Sequence, residues 1–276
     1  MIPISSLETQ AKAAADKFRR THELGEQPLG DLVALVEFTA KCDVAILDAP
    51  DDEHGMTMRD PEREVAFIGV ARSRNPMRQR STLAHELGHV IFADWDAASN
   101  LSERSPQEIR ADAFARHLLI PIDGLKAFLG KRPNISEAQL SDVVQHFLVS
   151  PQIAAIALRQ SGYIDADTFA AWMGLRTPQL ASRYGWRDYY AALQEDSYRV
   201  RAPQQLLARA ITGYVDGVVS AQTIATLRRL PVEQVIEELE FEGITPTLDE
   251  PADVDINRLR KVDVDLSDLE DEDPDL

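Results

Sequence analysis

The chain has 276 residues, of which 44% are hydrophobic, and a formal net charge of −17. Its apolar runs are short, and its N-terminus has neither a basic start nor an apolar stretch, so we predict no membrane span and no secretory signal. The single cysteine, Cys42, excludes an intrachain disulfide. We therefore expect a cytoplasmic protein, and its acidic charge disfavours direct binding to nucleic-acid phosphates, which Lys and Arg bind.

The first third of the chain predicts two helices followed by short strands. Residues 5–21 have the apolar spacing of an amphipathic helix, which Ser5 and Glu8 would start as a capping box, and a second helix is predicted over about 29–41. Alternating or continuous apolar runs separated by turns predict strands at 43–48, 56–60 and 64–70. We expect an α+β fold in which a small antiparallel sheet is packed with helices.

The rest of the chain, after a polar connection, predicts helices up to about residue 245. Within it, residues 138–161 have a helix, a short turn and a second helix, as in a helix-turn-helix segment. Residues 248–276 contain twelve acidic and three basic residues, a composition that predicts a disordered tail.

An H-E-x-x-H motif lies in the segment "STLAHELGHVIF", residues 81–92. On a helix, His85 and His89 lie one turn apart on the same face and can direct two imidazoles at one metal ion. Glu86 is turned by about 100° and can stand beside such an ion and accept a proton from water. The alternative is that the two histidines are incidental residues on an ordinary amphipathic helix.

A catalytic zinc site takes three protein ligands, so a third ligand is expected downstream. In "SPQEIRADAFARHLLIP", residues 105–121, Glu108 and Asp112 lie one helical turn apart. Glu108 is the candidate ligand, and Asp112 would accept a hydrogen bond from a ligand histidine. In the alternative, Ser105 and Glu108 form a capping box and Glu108 serves only the helix start. His117 is about half a turn round the helix from Glu108 and should not reach the same ion.

Two segments resemble the ImmA/IrrE family of metallo-endopeptidases: "RQRSTLAHELGHVIF" (78–92) and "EIRADAFARHLLIP" (108–121). Together they follow the family's gluzincin pattern, H-E-x-x-H on one helix and E-x-x-x-D on the next. The chain departs from that pattern at Asp112, where Asn is commoner, at Arg110, where an acidic residue is frequent, and at Ser81, where Phe is frequent. None of these departures removes a proposed ligand. A weaker resemblance extends over about 29–245.

The resemblance implies a zinc-dependent endopeptidase, with Mn²⁺ as an alternative metal. The implied ligands are His85, His89 and Glu108, with Glu86 as the general base and Asp112 holding a ligand histidine. The implied substrate is a helix-turn-helix transcriptional repressor, whose cleavage would switch on stress, phage or mobile-element genes.

Four regions are predicted on this basis. They are an N-terminal helical extension (1–28), a zincin-like metallopeptidase domain (29–130), a helical domain with the helix-turn-helix-like segment (131–246) and an acidic tail (247–276). The oligomeric state stays open.

Details of substrate binding also stay open. The strand at 65–70 is a candidate edge strand that would pair with an extended substrate. His54, Tyr163 and Tyr184 are candidate donors to an oxyanion. Residues 253–266 alternate like a strand and would act as an inhibitor if they occupied the cleft.

The alternative function is that of a non-proteolytic, metal-containing regulator that acts by protein or DNA binding through the helical half. The second helix of the helix-turn-helix-like segment offers only Gln152, Arg159 and Gln160 as polar side chains for DNA. A reading helix needs several side chains for phosphates and base edges, so direct DNA binding is disfavoured.

Overall fold

The computed structural model describes residues 4–50, 55–62, 64–95, 105–132 and 134–247. Its elements in chain order are α1 (Ile4–Thr21), α2 (Leu32–Ala40), β1 (Cys42–Leu47), β2 (Gly55–Asp60), β3 (Val65–Ala71), α3 (Pro76–Phe92), α4 (Pro106–Leu119), α5 (Ile122–Leu129), α6 (Glu137–Phe147), α7 (Pro151–Gln160), α8 (Ala166–Trp172), α9 (Thr177–Arg183), α10 (Arg187–Ser197), α11 (Gln204–Val215), α12 (Ala221–Arg228) and α13 (Val232–Phe241). Among these described helices, none has both the length and the apolar character needed to cross a membrane. The predicted acidic tail (247–276) lies outside the described residues from position 248 onwards, including residues 253–266, as does His54.

The three strands form a mixed sheet in the order β1–β3–β2. β3 is parallel to β1 and antiparallel to β2, so the α+β class is confirmed but the prediction of an antiparallel sheet is wrong. The prediction of an edge strand at 65–70 is wrong as well, because β3 is central and β2 lies at an edge. Alternation within a strand determines which side chains share a face, whereas the order of strands depends on how the whole sheet packs.

One face of the sheet packs against α3 and forms one side of the core. The buried side chains of this face come from alternate positions of β1 and β3: Cys42, Val44, Ile46, Ile68 and Val70. Leu83 and Leu87 on α3 are buried in the same core, and α4 packs along the other side of α3. This packing leaves one stripe of α3 facing α4, and both histidines of the motif lie on that stripe.

α1 belongs to the same core and packs along α4. Its apolar stripe is buried, and the buried Arg19 donates hydrogen bonds of 2.8 and 2.6 Å to the Leu118 carbonyl at the end of α4. The helix already includes Ile4, so the prediction of Ser5 as its N-cap is wrong. The Glu8 carboxylate instead accepts hydrogen bonds of 2.6 and 2.7 Å from Arg116 on α4.

The helix-turn-helix-like segment is present as α6 and α7, joined at Leu148 in the left-handed conformation. Each polar side chain that α7 was expected to offer to DNA has a partner within the protein. Gln152 donates to the carbonyls of Met173 and Leu175, Arg159 to that of Ile164, and Gln160 to the Glu8 carboxylate. This geometry gives α7 the role of a packing helix.

The apolar core extends from α1 to α10 without interruption, whereas α11, α12 and α13 close around a small cluster of their own. The core includes Trp186 and Tyr190, whose rings meet edge to face at 5.9 Å. The predicted region boundaries at 28/29 and 130/131 stay predictions, and apolar packing runs across both positions.

Candidate metal centre

The motif helix α3 has a well-defined start and end. Asn75 caps its N-terminus by accepting a hydrogen bond of 3.2 Å from the Arg78 N–H, and Pro76 is the first helical residue. Its C-terminus ends at Ala93, which adopts the left-handed conformation with φ 55°. Leu83 and Leu87 hold the opposite face in the core, so the direction of the histidine face is set by packing on the sheet.

α4 approaches α3 closely at Gly88, which lies between the two histidines and has no side chain. A Cβ at this position would lie 3.2 Å from Ala111 Cα and 3.2 Å from a Phe114 ring carbon, so a larger residue would push the helices apart. α4 is capped by Ser105, whose Oγ accepts a hydrogen bond of 3.3 Å from the Glu108 N–H. Only the Ser105 half of the predicted capping box is present, because the Glu108 carboxylate is turned towards the histidines and does not serve the helix start alone.

Three side chains converge between the two helices. His85 Nε2 lies 3.0 Å from His89 Nε2 and 3.1 Å from Glu108 Oε2, and His89 Nε2 lies 3.4 Å from Glu108 Oε1. One ligand atom from each residue falls within 4.8 Å of the others. Two imidazole nitrogens and a carboxylate oxygen are a donor set that zinc accepts, so these residues fit a divalent metal.

The outward nitrogen of His85 is held by α4. His85 Nδ1 lies 3.0 Å from Asp112 Oδ1, as expected for the carboxylate predicted to hold a ligand histidine. Burial opposes protonation of His85, but the hydrogen bond that His85 donates to Asp112 and the nearby carboxylates outweigh it and raise the pKa of His85.

The outward nitrogen of His89 faces a residue that sequence reasoning missed. His89 Nδ1 lies 3.4 Å from Asp94 Oδ2, and Arg110 donates a hydrogen bond of 2.7 Å to Asp94 Oδ1. Arg110 thus contacts the carboxylate that lies behind one of the three converging residues. The sequence shows only that an acidic residue follows the end of α3. Whether the Asp94 side chain turns towards His89 depends on the turn at Ala93.

Glu86 is buried beside this cluster, between α3 and the edge strand β2. Thr57 on β2 donates a hydrogen bond of 2.6 Å from Oγ1 to Glu86 Oε2. A Cβ at Gly55 would lie only 2.7 Å from Glu86 Oε1, so β2 passes directly over the carboxylate. Neither Thr57 nor Gly55 was a candidate from the sequence, since no local pattern indicates which strand lies against which helix.

Other candidates have different partners. The Tyr163 hydroxyl donates to the Gly130 carbonyl at 2.8 Å, and the Tyr184 hydroxyl lies 3.2 Å from a Glu137 carboxylate oxygen. Within the described ranges, neither hydroxyl contacts the histidine pair. His117 is buried, with Nε2 2.8 Å from the Glu8 carboxylate, so it lies away from the converging residues as its spacing predicted.

Comparison with protein families places these residues in a known group. Residues 41–159, which run from β1 into α7, match the model of a peptidase family described as the IrrE N-terminal-like domain. The match includes His85, Glu86, His89 and Glu108 and ends before the last six helices. Comparison with curated proteins gave no match. The match over residues 41–159 therefore supports the ImmA/IrrE family of metallopeptidases for this part of the chain.

Proposed function

We propose that this protein is a zinc-dependent endopeptidase that cleaves a helix-turn-helix transcriptional repressor. The observation that carries the proposal is the convergence of His85 Nε2, His89 Nε2 and the Glu108 carboxylate beside the buried Glu86 carboxylate. The match of residues 41–159 to a peptidase family model supports the reaction class. The substrate is inferred from the family resemblance.

The metal would be held by His85, His89 and Glu108. Bound zinc supplies Lewis-acid chemistry, which lowers the pKa of a water molecule and polarises the carbonyl of the scissile peptide bond. Manganese also accepts nitrogen and oxygen ligands, so it is the alternative metal for this donor set. The carboxylates of Asp112 and Asp94 would keep the two imidazoles oriented with Nε2 towards the ligand position.

Glu86 would move the proton. Its Oε2 is engaged by Thr57, so we assign proton transfer to Oε1. The carboxylate takes a proton from water as the water oxygen bonds to the carbonyl carbon, and it passes that proton to the nitrogen as the C–N bond breaks. The products are a new carboxyl terminus and a new amino terminus.

The edge strand β2 is the proposed docking site for the substrate segment. Within the described part of the chain β2 pairs only with β3, so its other edge can add an extended peptide as a further strand. Thr57 contacts Glu86 from the middle of β2, which would bring a peptide bond of that added strand next to the carboxylate. An extended substrate implies that the repressor is cut in a flexible segment.

A census of new protein N-termini in cells under stress tests the proposal. It compares the wild-type chain with Glu86→Gln and His89→Ala at equal expression levels, and the metal content of each purified protein is measured alongside. We expect new termini, including one within a repressor, for wild type alone, with metal retained in Glu86→Gln and lost in His89→Ala. If Glu86→Gln keeps full biological activity while His89→Ala loses it, the non-proteolytic metal regulator is the correct function.

A further inference from the structure

The two histidines of the candidate metal centre are held by carboxylates in different surroundings. The carboxylate behind His85 belongs to Asp112, whose side chain is 45% exposed. The one behind His89 belongs to Asp94, whose side chain is 9% exposed. A carboxylate in a largely buried position needs a compensating partner, because losing water disfavours its charge.

The turn at the end of α3 places Asp94 under His89. Ala93 adopts the left-handed conformation, with φ 55°, and its N–H donates to the Val90 carbonyl at 3.2 Å. The next N–H, that of Asp94, donates to the His89 carbonyl at 3.0 Å. Asp94 thus meets His89 twice, through its backbone N–H and through Oδ2 at 3.4 Å from Nδ1.

Arg110 on α4 holds this turn from the other side. Its guanidinium donates a hydrogen bond of 2.7 Å to Asp94 Oδ1 and lies over the ring of Phe92, 4.1 Å from the ring centroid. Phe92 and Asp94 are the residues on either side of Ala93. One guanidinium therefore pairs with the carboxylate and stacks on the last residue of α3, which limits the movement of both.

We propose that Arg110 is a positioning residue that sets metal affinity by fixing Asp94 against His89. Held in this way, Asp94 accepts a hydrogen bond from Nδ1–H of His89 and keeps Nε2 of that ring directed at Glu108 and His85. The inference rests on the metal site of the proposed function. It also gives a role to Arg110, one of the three residues at which this chain departs from the family pattern.

A positioning role and a purely electrostatic role of Arg110 predict opposite changes in metal affinity when its side chain is removed. Loss of a cation near a metal site reduces repulsion and should tighten metal binding if charge alone matters. Loss of the clamp on Asp94 should weaken metal binding, because His89 is then free to turn. Removal of a group that orients a ligand histidine lowers metal affinity by roughly 10- to 100-fold.

Zinc affinity, measured by competition with a chelator of known affinity, separates the two effects. We expect Arg110→Gln to weaken zinc binding about tenfold and Asp94→Ala to weaken it by roughly 10- to 100-fold. The double variant should bind no more weakly than Asp94→Ala, because Arg110 acts through Asp94. Arg110→Lys, which keeps the cation, should recover part of the loss and supplies a folded variant if Arg110→Gln does not fold.

Arg116→Gln is the matched control, since Arg116 lies on the same helix and pairs with Glu8 at 2.6 Å, away from the histidines. It should lower stability without changing zinc affinity. A second readout is the ¹⁵N spectrum of His89, which should report a proton on Nδ1 in wild type and a mixture of tautomers in Arg110→Gln. Unchanged or tighter zinc binding by Arg110→Gln overturns the inference and leaves the proposed function intact. A wild-type chain that binds no zinc overturns both.

Discussion

Thr57 on β2 donates a hydrogen bond of 2.6 Å to Glu86 on α3, and this contact joins the edge of the sheet to the motif helix. Its hydroxyl also lies 3.3 Å from the Glu86 backbone carbonyl. The side chain that would move the proton is thus oriented by the strand that would bind the substrate.

Removal of the Thr57 hydroxyl should slow cleavage without removing the metal. Thr57→Val keeps the shape of the side chain but leaves Glu86 Oε2 without this donor, and we expect kcat to fall by about tenfold or more. Thr57→Ser keeps the hydroxyl and should stay close to wild type. The measurement is the cleavage rate of the substrate found by the N-terminal census, together with zinc content. Equal rates for Thr57→Val and wild type would show that Glu86 is oriented without Thr57.

Gly55 should tolerate no side chain. In Gly55→Ala the new Cβ would lie 2.7 Å from Glu86 Oε1 and 2.9 Å from Thr82 Cγ2, so the carboxylate has to move. We expect a loss of cleavage of at least tenfold with zinc binding retained, because Glu86 is not a proposed ligand. Gly174→Ala is the control, since a Cβ there meets nothing within 4 Å. Full activity of Gly55→Ala would mean that β2 shifts freely and does not hold Glu86.

The contact between α1 and α4 should weaken in acid. The hydrogen bond with His117, helped by Arg116 and Gln160 and opposed by burial, lowers the pKa of Glu8 from 4.5 to about 2. A carboxyl group with a lowered pKa binds fewer protons in the folded state, so its stabilisation is complete above about pH 4.5 and is lost as the pH falls towards 2.

Urea unfolding of wild type and Glu8→Gln across this pH range measures the effect. At neutral pH the variant should be less stable by roughly 1–2 kcal/mol, and the difference should shrink as the pH falls from 4.5 towards 2. A difference in the free energy of unfolding that does not change with pH would mean that the Glu8 charge does not hold α1 on α4.

Arg80 should be a major source of stability for α3. Its guanidinium donates to the carbonyls of Leu29 and Gly30 at 2.6 Å each and to that of Leu148 at 3.3 Å, so it joins α3 to two separate turns. Arg80→Met leaves these carbonyls without their donor and should lower the free energy of unfolding by about 3 kcal/mol.

Arg183→Met is the control for Arg80, because Arg183 is 66% exposed and its contacts, an ion pair with Glu137 and a position over the Tyr184 ring, lie near the surface. Its loss should change the free energy of unfolding by less than about 0.5 kcal/mol. Similar values for the two variants would contradict a special role for Arg80. Urea denaturation followed by circular dichroism provides both numbers.

Helical periodicity was enough to place His85, His89 and Glu86 correctly relative to one another, because 3.6 residues per turn fix their angles on any helix. The same rule put Glu108 and Asp112 on one face of the next helix. Capping residues and prolines set the starts of α3 and α4, since they satisfy or remove the first N–H groups of a helix. These are local properties, and the sequence determined them.

Contacts between elements were decided only in the folded chain. Apolar alternation made β1, β2 and β3 recognisable, but the order β1–β3–β2, and with it the contact of Thr57 with Glu86, depends on packing across the whole sheet. The Glu108 carboxylate could turn either to the start of α4 or to the histidines, and the close approach of α3 and α4 at Gly88 brings it to the histidines. Asp94 reaches His89 only because Ala93 adopts a left-handed conformation. Few residues other than glycine adopt this conformation, so an alanine gives no sign of it in the sequence. Periodicity thus identified the candidate ligands, whereas the groups that orient them come from tertiary packing.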